Sequence, residues 1–230
     1  MKIVRVVSIV AVSLFALVSS AHAQDGRISI SAAIAVDPSL SGTVLNPGVA
    51  GPATFTGTKW TESHSTNSPL FEVDLGYTVA PRTEVLGGFE YGRAGSNLLT
   101  VGSQLGAPLN ASFSPYQFWG FNGGVRAGLD HGHGGYGIAT FGFRQVSSID
   151  MTLTQPGFTS IRSLYDSTTA PAFGFGGGYL FGGATGVSFG FELGFKHTGS
   201  LAPAAASPQL SAINAESARW SLPIGFIVRF

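Results

Sequence analysis

Cysteine is absent from this 230-residue chain, and only 10% of its residues are charged. The lack of cysteine excludes disulfides, thiolate metal sites and a thiol nucleophile. Lysine and arginine form no cluster, so the basic footprint of nucleic-acid binding is missing and no nucleic-acid partner is expected. Soluble domains average about a quarter charged residues. The composition therefore disfavours an ordinary cytosolic enzyme.

Long apolar runs are scarce, and the one at the start of the chain is short. The apolar segment 6–18 follows two basic residues and precedes the small-residue end Ala21–Ala23. These three parts are typical of a secretory signal peptide, and the run is too short for a membrane-spanning helix. We therefore predict a signal peptide at 1–23 and a single outer-membrane domain at 24–230.

Hydrophobic residues after the leader alternate with small or polar ones. The pattern is regular over 71–79 and 187–196 and clearest over 219–230. Period two places the apolar side chains on one face of a β-strand. Eight such strands are predicted, at 27–36, 68–80, 83–92, 116–129, 136–146, 169–181, 187–197 and 217–230.

The connections between these strands alternate between short and long, as in outer-membrane barrels. The polar face is dominated by glycine, which is too small to form the charged outside of a soluble β-protein. The opposite face is aromatic and aliphatic, and includes Trp119, Tyr179 and Trp220 as interfacial residues. We predict an all-β fold: a closed antiparallel eight-stranded transmembrane β-barrel of a Gram-negative cell envelope, with short periplasmic turns and long extracellular loops. The long loops are predicted at 37–67, 94–115, 147–168 and 198–216.

Charged residues within the strands share the polar parity and are assigned to the lumen. Facing lipid at mid-membrane, an arginine or lysine would cost about 2–4 kcal/mol. Because eight strands leave room for little more than side chains, we expect acids and bases to pair and fill the barrel. Because the glycines on the polar face leave some space in the lumen, a narrow pore is the alternative to a filled barrel. The predicted lumen network is Glu72, Asp74, Glu84, Glu90, Arg126, Arg144, Glu192, Lys196, Arg219 and Arg229.

Some strand residues depart from the alternation. Pro223 removes a backbone donor from the last strand and is interpreted as a bulge. Four apolar residues fall on the polar face and are interpreted as lumen packing: Leu86, Phe118, Leu180 and Ile227.

Two histidine motifs lie outside this network. Asp130-His131-Gly132-His133 offers two imidazoles and a carboxylate in a predicted turn, without a third strong ligand, so no metal site and no cofactor are predicted. His197 and Ser200 lie at the predicted external end of the seventh strand and distantly resemble the His-x-Ser pair of the lipid A deacylase family. The spacing here is His-x-x-Ser and the family's following asparagine is missing, so they are retained as candidates for an alternative function rather than as assigned catalytic residues.

The carboxy terminus carries the most specific resemblance. Its alternate positions are apolar and end in an aromatic residue: Leu222, Ile224, Phe226, Val228 and Phe230. With the leader and the eight strands, this ending resembles the small outer-membrane barrels of the opacity-protein and OmpA/OmpX-like porin-family group. The resemblance implies that these five residues are an assembly signal read by the barrel assembly machinery. It also implies roles as surface antigen, adhesin, envelope-stabilising protein or narrow pore.

Three functions are compatible with the sequence. The leading hypothesis is a non-enzymatic barrel in outer-membrane lipid and lipopolysaccharide, whose external loops contact a host or cell-surface ligand or support envelope integrity. The second is a narrow porin-like channel for small solutes. The third is an outer-leaflet lipid A hydrolase that uses His197 and Ser200.

Overall fold

The structure is a computed structural model that describes residues 27–64, 68–182, 186–214 and 217–230. The predicted signal peptide, 1–23, lies outside the described residues. Within them no helix has the length and apolar character needed to cross a membrane.

The described chain is built mainly of strands. The helical segments are α1 (Trp60–Ser63) and a single 3-10 turn at Pro208–Leu210. The strands are β1 (Ile28–Val36), β2 (Ser39–Ser41), β3 (Thr43–Leu45), β4 (Gly48–Ala50), β5 (Ala53–Phe55), β6 (Thr58–Lys59), β7 (Pro69–Ala80), β8 (Thr83–Ala94), β9 (Leu99–Gln104), β10 (Ala107–Phe113), β11 (Tyr116–Ala127), β12 (Gly134–Val146), β13 (Ile149–Gln155), β14 (Phe158–Tyr165), β15 (Thr168–Gly182), β16 (Ser188–Thr198), β17 (Arg219–Ser221) and β18 (Ile224–Arg229).

Eight of these strands close into a barrel. Their order is β15-β12-β11-β8-β7-β1-β18-β16, every pairing is antiparallel, and β16 pairs back to β15. The first and last strands meet at a seam where Ser31 lies opposite Arg229. The predicted closed antiparallel eight-stranded barrel is confirmed.

Alternation along the strands makes the barrel wall apolar outside and polar inside. Leu75, Phe121, Phe189 and Phe191 are exposed, whereas inward-facing residues such as Asp74 are buried. Outward aromatic rings contact each other across strands, as between Trp119 and Phe143 or Phe189 and Phe226. An apolar outer wall matches lipid, and closure satisfies the backbone groups that lipid cannot.

The last predicted strand, 217–230, is interrupted. β17 and β18 are separated at Leu222 and Pro223, where proline has no N–H to give to the ladder. The amide of Leu222 donates instead to the carbonyl of Pro38 (2.9 Å). Above this break β17 pairs with β2, so the barrel wall continues outward.

The four long connections are more ordered than the predicted loops. Six strands in them form a separate sheet in the order β14-β13-β10-β9-β5-β4, and β3 pairs with β6. Together with α1 and the 3-10 turn they form a cap over one end of the barrel, here called the crown. The crown comprises the described residues of 37–64, 95–115, 147–167 and 199–218.

The crown has a hydrophobic core of its own. Trp60 is fully buried and packs edge-on against Tyr116, while its indole nitrogen donates to the Ser217 carbonyl (3.1 Å). The Tyr165 hydroxyl donates to the Val44 carbonyl (2.8 Å). The core also contains Leu45, Phe55, Leu109, Met151, Leu164, Leu210 and Ile213. The sequence predicts these segments as loops, but they contain short strands. Apolar side chains at alternate positions of these strands produce the core.

Candidate functional site

The half of the lumen nearer the short turns is centred on Arg126. Its guanidinium, fully buried, lies 3.5 Å from Asp74 and 3.4 Å from Glu84, and donates to the Ser31 hydroxyl (3.2 Å). Arg229 also pairs with Glu84. Two arginines and two carboxylates are thus joined across the barrel.

The half nearer the crown is centred on Glu90. Arg144 donates to both carboxylate oxygens of Glu90 (2.6 and 3.1 Å) and to the Thr198 hydroxyl (2.9 Å). Lys196 bridges Glu90 (2.9 Å) and Glu72 (3.0 Å). This geometry holds four strands together with charge-assisted bonds.

A third set of charges lies where the barrel meets the crown. Asp37 accepts from Arg219 (2.8 Å) and lies 3.8 Å from Arg144, and all three side chains are buried. The sequence predicts Asp37 as the first residue of the long loop 37–67, whereas the structure places its side chain among the buried charges. The alternation in β1 could have identified Asp37. Ser29 and Ser31 face inward, and continuing the same alternation one residue beyond the end of β1 places residue 37 inward as well.

The expected pairing of every lumen acid with a base is wrong for Glu192. Its carboxylate accepts from the Tyr136 hydroxyl (2.8 Å) and has no ion pair among the described residues. Tyr136 has the same inward parity as Arg144 on β12, so the alternation alone would have placed it in the lumen.

Aromatic and aliphatic residues fill the space between the charges. The guanidinium of Arg144 lies 4.0 Å from the ring centre of Phe118, and that of Arg219 lies 4.5 Å from Tyr116. The cavity beside Glu90 and Lys196 has a volume of about 10 Å³, room for about one water molecule. The four parity-breaking residues are all buried: Leu86, Phe118, Leu180 and Ile227.

The two candidate hydrolase residues do not form a hydrogen-bonded pair in the described chain. The His197 ring stacks on Phe173 (4.8 Å between ring centres) and lies against Trp220 (4.9 Å) on the outer wall. Ser200 is exposed in the connection after β16, and in the described chain no hydrogen bond joins it to His197. The histidine is held by aromatic packing rather than poised to activate a hydroxyl.

The second histidine motif forms the β11–β12 turn. Asp130 and His133 exchange backbone hydrogen bonds (2.8 and 3.1 Å), and the His131 ring is exposed, 3.9 Å from the Asp130 carboxylate. No group of three or more metal-ligating side chains is assembled among residues 27–64, 68–182, 186–214 and 217–230.

The terminal apolar residues lie on the outer wall at the barrel seam. Ile224 and Phe226 are exposed outward. The Phe230 amide donates to the Ile30 carbonyl (2.8 Å), and the Ile30 amide donates to the Phe230 carbonyl (3.2 Å). The carboxy terminus therefore completes the pairing with the first strand.

A buried histidine lies in the crown above the lumen. His64 is 2% exposed, shares a hydrogen bond with the Ser63 hydroxyl (2.9 Å), and is surrounded by Trp60, Phe113 and Tyr116. The pKa of His64 is lowered to about 4, mainly by burial and also by nearby Arg219, while a hydrogen bond with the Ser114 carbonyl acts in the opposite direction. The crown thus holds this imidazole neutral.

The outer face of the crown sheet is rich in uncharged hydrogen-bonding side chains. One row across four strands consists of Thr100, Asn110, Thr154 and Thr159, in which the Thr100 hydroxyl donates to the Asn110 side-chain oxygen (2.8 Å). The next row includes Ser112, Thr152 and Ile161. This face therefore presents mainly hydroxyl and amide groups, with the exposed Ile161 at its edge.

A closed barrel with an apolar wall, a side-chain-filled lumen and a folded cap defines a transmembrane β-barrel of the outer-membrane type. No protein-family model matches the chain. No curated protein matches it either.

Similar architecture is found among solved structures. Ail, the attachment invasion locus protein of Yersinia pestis, solved with the heparin analogue sucrose octasulfate, is 12% identical, with a TM-score of 0.44 over 89% of this chain and 99% of that chain. Neisserial surface protein A is 9% identical, with a TM-score of 0.40 over 89% of this chain and 96% of that chain. A de novo designed transmembrane β-barrel is 12% identical, with a TM-score of 0.35 over 90% and 98%. Because these identities and TM-scores are low, the neighbours carry no functional argument, and the function must be inferred from the chain's own residues.

Proposed function

We propose that this chain is a non-enzymatic surface protein of the outer membrane, in which the barrel is the anchor and the crown is the contact surface for a host or cell-surface ligand. The observation that carries this proposal is the crown itself. Its connections are packed around Trp60 and a shared apolar core rather than left as open loops. A surface that is already ordered loses less conformational entropy on binding, which favours recognition.

The lumen supports an anchor rather than a channel. Arg126, Arg144 and Lys196 each bridge two carboxylates across the barrel, and Phe118 lies over Arg144. A bore of eight strands filled in this way leaves no evident path for a solute. The single-channel conductance of the refolded protein in planar bilayers should therefore be small or absent. Large, stable conductance steps would favour the channel function instead.

The contact function is tested by adherence of bacteria that express the full chain. The comparison uses wild type, a crown variant, Thr154→Lys, and a matched control at the opposite end, His131→Lys. Both positions are on the surface, but only Thr154 lies on the crown face. Wild type and His131→Lys should adhere to cell layers or matrix-coated plates, and Thr154→Lys should adhere several-fold less at equal surface expression.

Two results would contradict this proposal. Wild-type adherence no greater than that of the empty vector would remove the contact function. Altered acylation of lipid A in expressing cells, seen by mass spectrometry and lost in His197→Ala, would instead support the lipid hydrolase. The packing of His197 between Phe173 and Trp220 argues against that outcome.

Biogenesis is part of the same proposal. The leader at 1–23 directs export, and the apolar alternation that ends at Phe230 is the assembly signal for the barrel assembly machinery. The exposed seam position of Ile224 and Phe226 supports this role, because an assembly factor has access to these side chains before lipid surrounds them. Lipid and the lipid portion of lipopolysaccharide then contact the apolar wall.

A further inference from the structure

The crown sheet ends in two edges, and one of them is well protected. β4 is three residues long, which leaves little backbone for another strand to pair with. Beside it, the Asn46 amide donates to the Ile213 carbonyl (2.7 Å), and the Ile213 side chain packs over Gly48. Short, covered edges are how natural sheets avoid pairing with other chains.

The opposite edge, β14, is longer and mostly open. It has eight residues and pairs with β13 on one side. Its other side is covered at the barrel end, where the Ala204 amide donates to the Leu164 carbonyl (3.1 Å) and the Asp166 amide to the Ala202 carbonyl (3.0 Å). Among the described residues no strand pairs with the free side of 158–163.

The register shows which backbone groups of β14 face outward. Gln155 and Phe158 pair across a two-residue turn, so their amides face each other. Antiparallel ladders alternate bonded and outward-facing residues, so the N–H and C=O groups of Thr159, Ile161 and Ser163 point away from β13. Three successive outward positions form a row that another extended backbone can satisfy.

The side chains along this edge are those of a pairing strand. Ile161 is 67% exposed and Phe158 is 39% exposed, so apolar surface accompanies the free backbone groups. Arg162 is exposed and has no ion pair within the part of the chain that the structure describes. The edge therefore offers backbone groups, one aliphatic contact and one free cation.

We propose that residues 159–163 of β14 bind an extended segment of a partner protein by strand addition, extending the crown sheet from six strands to seven. This inference rests on the proposed contact function and names its partner class. The segment carries an aliphatic or β-branched residue opposite Ile161 and an acidic residue that pairs with Arg162. Backbone hydrogen bonds supply the affinity, and these two side chains supply the selectivity.

Proline substitution provides a specific test, because proline is tolerated at an edge when its missing N–H would face solvent. Ile161→Pro removes one outward donor and leaves the β13 ladder intact. Ile161→Thr, the matched control, keeps the donor and a β-branched side chain. Equal protease resistance of the two crowns will show that both variants are folded.

The probe is a fluorescein-labelled eight-residue peptide of alternating valine and threonine with one central glutamate. Its twin is N-methylated at every internal amide, so it keeps its side chains but has no N–H donor along either edge. Binding is measured by fluorescence anisotropy with the full refolded protein in lipid nanodiscs. Wild type and Ile161→Thr should bind the unmodified peptide, and either Ile161→Pro or N-methylation should weaken binding at least tenfold.

The inference is overturned if the N-methylated peptide binds wild type as well as its twin does, or if the unmodified peptide does not bind. Neither result depends on the folding of a variant. Adherence of the Ile161→Pro strain separates the two proposals. If wild type and Ile161→Pro adhere equally, strand addition is wrong and the contact function stands. If wild type does not adhere but the peptide binds as expected, the contact function is wrong and the edge site stands.

Discussion

Replacing Arg126 with alanine tests whether the lumen charges stabilise the barrel as pairs. Among the described residues, Asp74 has a single ion pair, with Arg126 at 3.5 Å, whereas Glu84 keeps Arg229 after the substitution. The variant therefore leaves a buried carboxylate without a cation. Breaking a buried pair in this way costs about 3–5 kcal/mol. Because Asp74 keeps no ion-pair partner among the described residues, we expect a loss at the upper end of this range, about 5 kcal/mol.

Arg144→Ala is the comparison. It removes a shorter, two-oxygen contact with Glu90, yet Glu90 keeps Lys196 at 2.9 Å and Asp37 keeps Arg219 at 2.8 Å. No carboxylate is left without a partner, so the cost should be at the lower end, about 3 kcal/mol. The order of the two variants thus follows from the remaining partners and not from the strength of the lost bond.

The assay is urea-induced unfolding of the refolded protein in lipid vesicles, followed by tryptophan fluorescence. The double variant Arg126→Ala with Asp74→Asn should regain about 2 kcal/mol, because the unpaired charge is removed. The reasoning fails if Arg144→Ala is the more damaging change, or if Asp74→Asn gives no recovery in the Arg126→Ala background.

Three further predictions concern the crown, the wall and the terminus. Because the folded crown holds His64 neutral with a pKa of about 4, its stability should be complete above pH 6.5 and fall by about 3 kcal/mol between pH 6.5 and 4, measured by protease resistance. Gly190→Ala should cost about 1–3 kcal/mol in urea unfolding, because the added methyl would overlap the Tyr179 carbonyl, whereas Gly87→Ala faces open space and should change stability by less than about 0.5 kcal/mol. Deleting Phe230 should lower the amount of barrel inserted in cells much more than refolding yield in detergent.

Each of these has a result that contradicts it. A His64→Phe variant with the same acid sensitivity as wild type would show that another group titrates. A Gly87→Ala barrel as unstable as Gly190→Ala would show that the wall tolerates no added methyl anywhere. Equal losses of insertion and refolding after deletion of Phe230 would assign it to stability rather than to assembly.

The barrel was predictable because its signal is strictly periodic. Each strand has one apolar face, and a one-residue shift in pairing would reverse every side chain, so the register that places Asp74 inside also places Leu75 outside. The same parity identifies Asp37 and Tyr136, which were missed because the strands were ended too early or read for charge alone. Local sequence alone was therefore enough to predict which residues face the lumen.

The crown was not predictable in the same way. Strands such as β4 and β5 have three residues each, too few for a periodic pattern to stand out. Trp60 and Ile213 share one core although they lie far apart in the chain, and only the closed barrel brings them together. Likewise, the edge of β14 is exposed because β14 is the last strand of the crown sheet. Local strand propensity does not determine which strands become neighbours, so the sequence could not predict this edge.

The seam between β1 and β18 has a consequence for the timing of folding. The first strand pairs with β7 on one edge, but its other edge, where Ser31 lies opposite Arg229, finds its partner only after nearly the whole chain is available. Contacts of such long sequence separation slow folding, because the entropy of closing the chain is lost before the contacts form. One edge of the first strand must therefore stay unpaired until the last strand is in place, and this delay is a kinetic consequence of the topology.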